Sequence, residues 1–116
     1  MKEVTTMARQ GDVLVMACSN VPKGLVPAPK DARGVVLAEG EATGHCHKFT
    51  DPNVCMLVRE GAAFDVDKLL QIAPTAERAE LVHDEHSTIA FAPGNYTVRR
   101  QREYAWAQEA SRAVAD

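Results

Sequence analysis

The sequence predicts an all-β domain, a mainly antiparallel small barrel or sandwich with a short C-terminal α-helix. Three observations carry this expectation. Short apolar or alternating runs recur along the chain, proline and glycine turns punctuate them, and an alanine-rich segment with helical spacing comes last. At 116 residues the chain has the length of one domain, 1–116. Such a length can bury roughly two-thirds of the extended surface without disulfide or metal staples.

The elements follow in order. Residues 1–8 are polar and are expected to be flexible. Gly11-Asp12 signals a turn, and the β-branched run Val13–Cys18 after it reads as a buried strand. Ser19–Arg33 carries Pro22, Pro27 and Pro29, which cannot donate to a sheet ladder, so this stretch reads as a surface loop. Gly34–Glu39 is a second strand, and Gly40 marks a bulge or bend before Glu41–Phe49. Asp51-Pro52-Asn53 turns the chain into a strand over Val54–Arg59. Ala62–Ala79 carries two patterns: Asp67–Ile72 suits a helix start, whereas Phe64 and Val66 alternate; strand is favoured. Ala79–His83 leads into a turn at Asp84-Glu85, and His86–Phe91 alternates as a strand. Pro93-Gly94-Asn95 then signals a hairpin into Tyr96–Tyr104, the longest strand expected. From Tyr104 onward the period changes. Trp106, Ala110, Ala113 and Val114 share one helical face, which predicts a helix over 104–115 packing its tryptophan on the sheet.

Composition narrows the function classes. A net charge of -3 argues against non-specific nucleic-acid binding, which needs a basic field; the local exception, Arg99, Arg100 and Arg102, alternates faces of a strand. No run approaches the roughly 20 apolar residues that span a bilayer. Cys18, Cys46 and Cys55 are an odd set without a Cys-x-x-Cys pair, which favours reduced thiols in a cytoplasm over a secreted disulfide framework. Met1–Gln10 lacks the apolar core of a signal peptide, in keeping with that compartment. Cys18 and Cys55 lie in apolar runs and read as core; Cys46 reads as a buried, inert thiol.

The histidines speak most clearly about chemistry. All four fall in two pairs, His45-Cys46-His47 and His83-Asp84-Glu85-His86. Residues i and i+2 of a strand share a face, so His45 and His47 project together and Cys46 points away. Two imidazoles so placed can meet an ion at about 2.1 Å, the usual zinc–nitrogen distance. His83 and His86 flank a turn that can bring them over the same spot. The expected ligand set is His45, His47, His83 and His86, for a divalent transition metal with zinc first. Glu85 stands as a second-shell group, a replacement ligand, or a general base. The alternative is histidines that occupy a polar turn or the surface without any ion.

Gly40-Glu41-Ala42-Thr43-Gly44-His45-Cys46-His47 resembles the metal-binding opening of the cupins, small β-barrels that hold a metal on histidines. The resemblance implies His45 and His47 as ligands and, further off, Glu60. It departs from the family in two ways: Glu60 lies too far downstream, and no histidine follows Pro93-Gly94. Arg9-Gln10-Gly11-Asp12-Val13, Gly40-Glu41-x-Thr43-Gly44-His45-x-His47, His83-x-Glu85-His86, Pro93-Gly94-x-Tyr96-x-Val98 and Arg100-Gln101-Arg102-Glu103-Tyr104 are together similar to a group of short bacterial and phage proteins. That resemblance implies a bacterial cell or a phage-infected host, and no particular activity.

Two function classes remain. One is a small metal-binding β protein, with hydrolysis by an activated water as its enzymatic extension and Glu85 as base. The other is a non-enzymatic phage or bacterial interaction or assembly module without metal. It would show the Ser19–Arg33 loop and the histidine turns to a protein partner or to another copy. A histidine cluster that senses pH is a third possibility.

Overall fold

The computed structural model describes residues 3–30, 32–39, 45–59 and 68–100. Eleven strands are present among them: β1 (Glu3–Val4), β2 (Met7–Gln10), β3 (Val13–Ala17), β4 (Leu25–Pro27), β5 (Val35–Glu39), β6 (Cys46–Phe49), β7 (Val54–Arg59), β8 (Lys68–Ile72), β9 (Ala79–Val82), β10 (Ile89–Phe91) and β11 (Gly94–Arg100). They form two sheets, ordered β1-β10-β9-β6-β5 and β2-β3-β11-β8-β7-β4. Every pairing is antiparallel except that of β1 with β10. The two sheets are separate rather than closed on themselves, which corrects the barrel form of the expectation. The expected helix over 104–115 lies outside the described residues, as do the Gly40 bend, Glu60 and the final residues of the strand expected to reach Tyr104.

Alternation builds the core. Val13 and Val15 of β3, Val54 and Met56 of β7, and Tyr96 and Val98 of β11 are buried on the inner face of the second sheet. They meet Val35 and Leu37 of β5, Phe49 of β6, Leu81 of β9 and Phe91 of β10 in one continuous cluster. Three aromatic rings run through it edge to face: Phe49 to Phe91 at 5.9 Å between centroids, and Phe91 to Tyr96 at 5.4 Å. Gly34 opens β5 at φ 104°, and a Cβ there would collide with the Phe49 carbonyl oxygen, so the close approach requires glycine. Cys18 and Cys55 are half-buried rather than core, whereas Cys46 is buried as expected.

Several boundaries differ from the sequence reading for identifiable reasons. Part of the stretch expected to be flexible forms β1 and β2, held by β10 and β3. Polar sequence did not prevent this, because both are edge strands with one face toward solvent. The proline-rich loop contains β4, an edge strand that pairs only with β7 and ends at Pro27, where a missing donor costs little. Pro93-Gly94 does not close a hairpin. β10 belongs to the first sheet and β11 to the second, so this turn is the corner where the chain crosses between them. His86 precedes β10 rather than opening it.

The corner is fastened by Tyr96. Its ring is buried, and its hydroxyl donates to the Ala92 carbonyl at 2.6 Å and lies 3.3 Å from that of Val4. Val4 O also accepts the Ala92 N–H at 2.9 Å, so β1, the corner and β11 share one hydrogen-bonded knot. Burial of the phenol, with Glu3 nearby, pushes its pKa above the usual value. Tyr96→Phe should therefore lower unfolding free energy by about 1–2 kcal/mol, since it removes the donor and keeps the packing. Equilibrium urea unfolding measures this; an unchanged midpoint would show that the knot contributes nothing.

Candidate metal centre

Three segments from both sheets converge at one end of the molecule. The two-residue turn Gly11-Asp12 joins β2 to β3 in the second sheet. β6 carries His47, and the 83–88 connection between β9 and β10 carries His83 and His86. Register explains the meeting. β6 pairs with β9 as Lys48 with Val82 and Phe49 with Leu81, so the next step sets His47 opposite His83. Their ring centroids lie 4.3 Å apart, and His86 is 4.6 Å from His83 and 5.7 Å from His47. One ligand nitrogen from each of His47, His83 and His86 lies within 4.8 Å of the others.

The fourth expected ligand stands to one side. His45 lies just before β6, outside the close triad, and its ring is 5.9 Å from that of His83. Its two nitrogens face carboxylates, Nδ1 at 3.5 Å from Asp84 Oδ2 and Nε2 at 3.7 Å from Glu85 Oε1. Glu85 is exposed, and its backbone N–H donates to His83 Nδ1 at 3.0 Å. The structure thus groups three histidines and places His45, Asp84 and Glu85 on their rim. Glu60, the further ligand that the cupin likeness implies, lies outside the described residues.

His47 is the buried member, and a buried amide orients it. Gln10 Nε2 donates to the carbonyls of Leu81 and Ser87, both at 2.9 Å. With the amide nitrogen so engaged, Oε1 faces His47 Nδ1 at 2.8 Å and can only accept. His47 therefore carries its proton on Nδ1 when neutral, and its Nε2 lone pair is left for another partner. An acceptor on the far nitrogen fixes the tautomer and orientation of metal-binding imidazoles in this way. Gly11 makes room for the rings. It sits at φ 58°, and a Cβ there would lie 2.7 Å from His86 Nε2 and 3.2 Å from His47 Cε1.

Asp12 borders the same space, with Oδ1 3.5 Å from His47 Nε2 and Oδ2 3.1 Å from an Arg100 guanidinium nitrogen. Burial alone would raise the Asp12 carboxyl, but the Arg100 hydrogen bond and charge hold it below the usual carboxylate value. Gln10, Gly11, Asp12 and Arg100 were not singled out as site residues by sequence. Asp12 belongs to the Gly11-Asp12 turn signal, and Arg100 to the arginines expected to alternate along the last strand. Their signal is the Arg9-Gln10-Gly11-Asp12-Val13 string and, for Arg100, the Arg100-Gln101-Arg102-Glu103-Tyr104 string, which accompany the histidine motifs in the same resemblance.

The environment keeps His47 neutral. Burial, then the charges of His83, His86 and Arg100, lower its pKa to about 4 against the opposing pull of Asp12. The sign of the consequence follows by linkage. Between about pH 4 and the ordinary value of 6.5 the unfolded chain binds a proton at this histidine that the folded chain refuses. The contribution is thus complete above that window and is lost as pH falls through it. For metal-free protein in chelator, we expect stability to fall on the order of 1–3 kcal/mol more in wild type than in His47→Gln. Urea unfolding across that range checks it, and parallel curves for the two proteins would contradict the assignment.

No helix among the described residues is long and apolar enough to cross a membrane. No curated protein and no solved structure matches the chain. A family model described as a domain of unknown function, DUF8820, matches residues 9–101. That span holds Gln10, Asp12, all four histidines and Arg100. On this match the chain belongs to the DUF8820 family of domains of unknown function.

Proposed function

We propose that this protein is a metal-binding β domain that holds a divalent transition metal on His47, His83 and His86. The observation that carries the reading is a convergent triad of imidazoles whose buried member has its Nε2 lone pair set by Gln10. Neutral nitrogen donors suit zinc, iron, copper and nickel, and zinc is the first choice for a compact set of histidines. Three protein ligands leave a position open, the arrangement in which a bound ion acts as Lewis acid and acidifies water.

The residues around the triad have separate roles in this reading. Gln10 sets the tautomer of His47, and Gly11 keeps side-chain bulk out of the ring space. Asp12, tethered by Arg100, supplies negative charge next to the ligands. His45, Asp84 and Glu85 form a polar rim on the 83–86 side. Glu85, exposed and in the same connection as two ligands, is the carboxylate we assign as base if the ion activates water.

His83 must adjust on loading. Its Nδ1 lone pair accepts the Glu85 N–H, which leaves the ring proton on Nε2 when the ring is neutral. Coordination through Nδ1 takes that lone pair directly, and coordination through Nε2 moves the proton to Nδ1. Either route breaks the Glu85 bond, so the Glu85 amide resonance should shift and exchange faster when zinc is added.

Untagged protein, purified without chelator, should contain close to one equivalent of metal by elemental analysis. His47→Ala and His83→Ala should each lose it, while His45→Ala should retain most of it. Gln10→Leu should weaken zinc affinity by about 10–100-fold with the ligands intact. Absence of metal from wild type, with no measurable affinity for added zinc, would overturn the reading in favour of an interaction module.

A further inference from the structure

We infer that Asp12 is the fourth ligand of the ion, so that His47, His83, His86 and one carboxylate oxygen enclose it. The inference rests on the metal reading of the triad and goes beyond it by naming the occupant of the position that three histidines leave open. Asp12 follows Gly11 in the turn between β2 and β3, and this turn is seated against two of the ligands. A Cβ on Gly11 would lie 2.7 Å from His86 Nε2 and 3.2 Å from His47 Cε1. Asp12 Oδ1 itself is 3.5 Å from His47 Nε2.

The chemistry of that contact points to a cation. Gln10 Oε1 takes the His47 Nδ1 proton, so the neutral ring presents a lone pair at Nε2. Asp12 Oδ2 is in an ion pair with Arg100 at 3.1 Å, so the group is a carboxylate and its Oδ1 is an acceptor as well. Two acceptors therefore face each other, and neither brings a proton to join them. Such a contact is repulsive by itself, and a positive ion between the two atoms turns it into an attraction.

Distance agrees. Zinc bonds of about 2.0–2.2 Å to nitrogen and oxygen, at a tetrahedral angle, set neighbouring ligand atoms about 3.4 Å apart. The His47–Asp12 edge has nearly that length already. The three imidazole nitrogens are grouped to within 4.8 Å, and Asp12 lies outside that group, at its His47 corner. Loading thus draws His83 and His86 toward a preformed edge, in keeping with the adjustment that His83 must make. Each partner of the edge is oriented from its far side, the imidazole by Gln10 and the carboxylate by Arg100. An ion held by all four groups meets water only when Asp12 withdraws toward Arg100, so the Lewis-acid position is gated by one carboxylate.

The test loads the untagged full chain with cobalt(II), whose visible bands report ligand number; zinc, with its filled d shell, gives no such signal. Azide is then added as a probe for an open position. Wild type should show the intense bands of a four-coordinate ion and change little with azide. Asp12→Asn keeps the turn and an acceptor for Arg100 but removes the anionic oxygen. It should show weaker, shifted bands, take up azide at a concentration at least about tenfold lower than wild type, and lose zinc affinity by about 100-fold or more, beyond what an outer partner contributes. Wild type that takes up azide as readily as Asp12→Asn, or an Asp12→Asn protein with the wild-type spectrum, would overturn the assignment while bound cobalt left the triad standing. Wild type that binds neither cobalt nor zinc would remove the triad reading and this inference with it.

Discussion

The site depends on one buried amide. Gln10 belongs to the second sheet, yet its side chain binds two carbonyls and one imidazole of the first. Burying a glutamine and a histidine together is unfavourable unless every polar atom finds a partner. Here three hydrogen bonds offset that desolvation, and each restricts how the sheets meet. Removing the amide would leave the Leu81 and Ser87 carbonyls and the His47 Nδ1 proton without it. The same contacts that dock the β2–β3 turn onto the first sheet also decide which nitrogen of His47 is free. Structure and chemistry are coupled at this residue.

A gradient of burial surrounds the amide. His47 is buried, fixed and neutral, whereas His83 is half-buried and tied to its own turn, and His86 is exposed. An ion entering from the exposed side would meet the exposed His86 first and the buried His47 last. The rim of His45, Asp84 and Glu85 lies on that approach and carries the acidic groups that attract a cation. Asp12 also borders His47 and is itself held by Arg100.

Much of the architecture was legible from the residues. The runs Val13–Ala17, Val35–Glu39 and Val54–Arg59 are strands because β-branched and apolar side chains alternate there between turn signals. Long-range placement was less accessible. Pro93-Gly94 looks the same whether the strands on either side pair or part; which occurs is decided by where Tyr96 and Phe91 bury their rings. β1 and β4 are short edge strands whose partners, not their own sequence, stabilise them. The histidine pairs announced a cluster; His47, His83 and His86 come together in it, and His45 stands just before β6 begins. Gln10 was invisible as a ligand-orienting group because a glutamine in a polar run carries no signal until its neighbours in space are known.

The measurement that reaches the centre of this account is the tautomeric state of His47, read from long-range ¹H–¹⁵N correlation of the imidazole rings in metal-free protein near neutral pH. The account requires the proton on Nδ1, with Nε2 showing the shift of an unprotonated nitrogen. A His47 ring protonated on Nε2, or averaging between the two forms as a free imidazole does, would mean that Gln10 does not orient it and that the triad is not prepared to receive an ion.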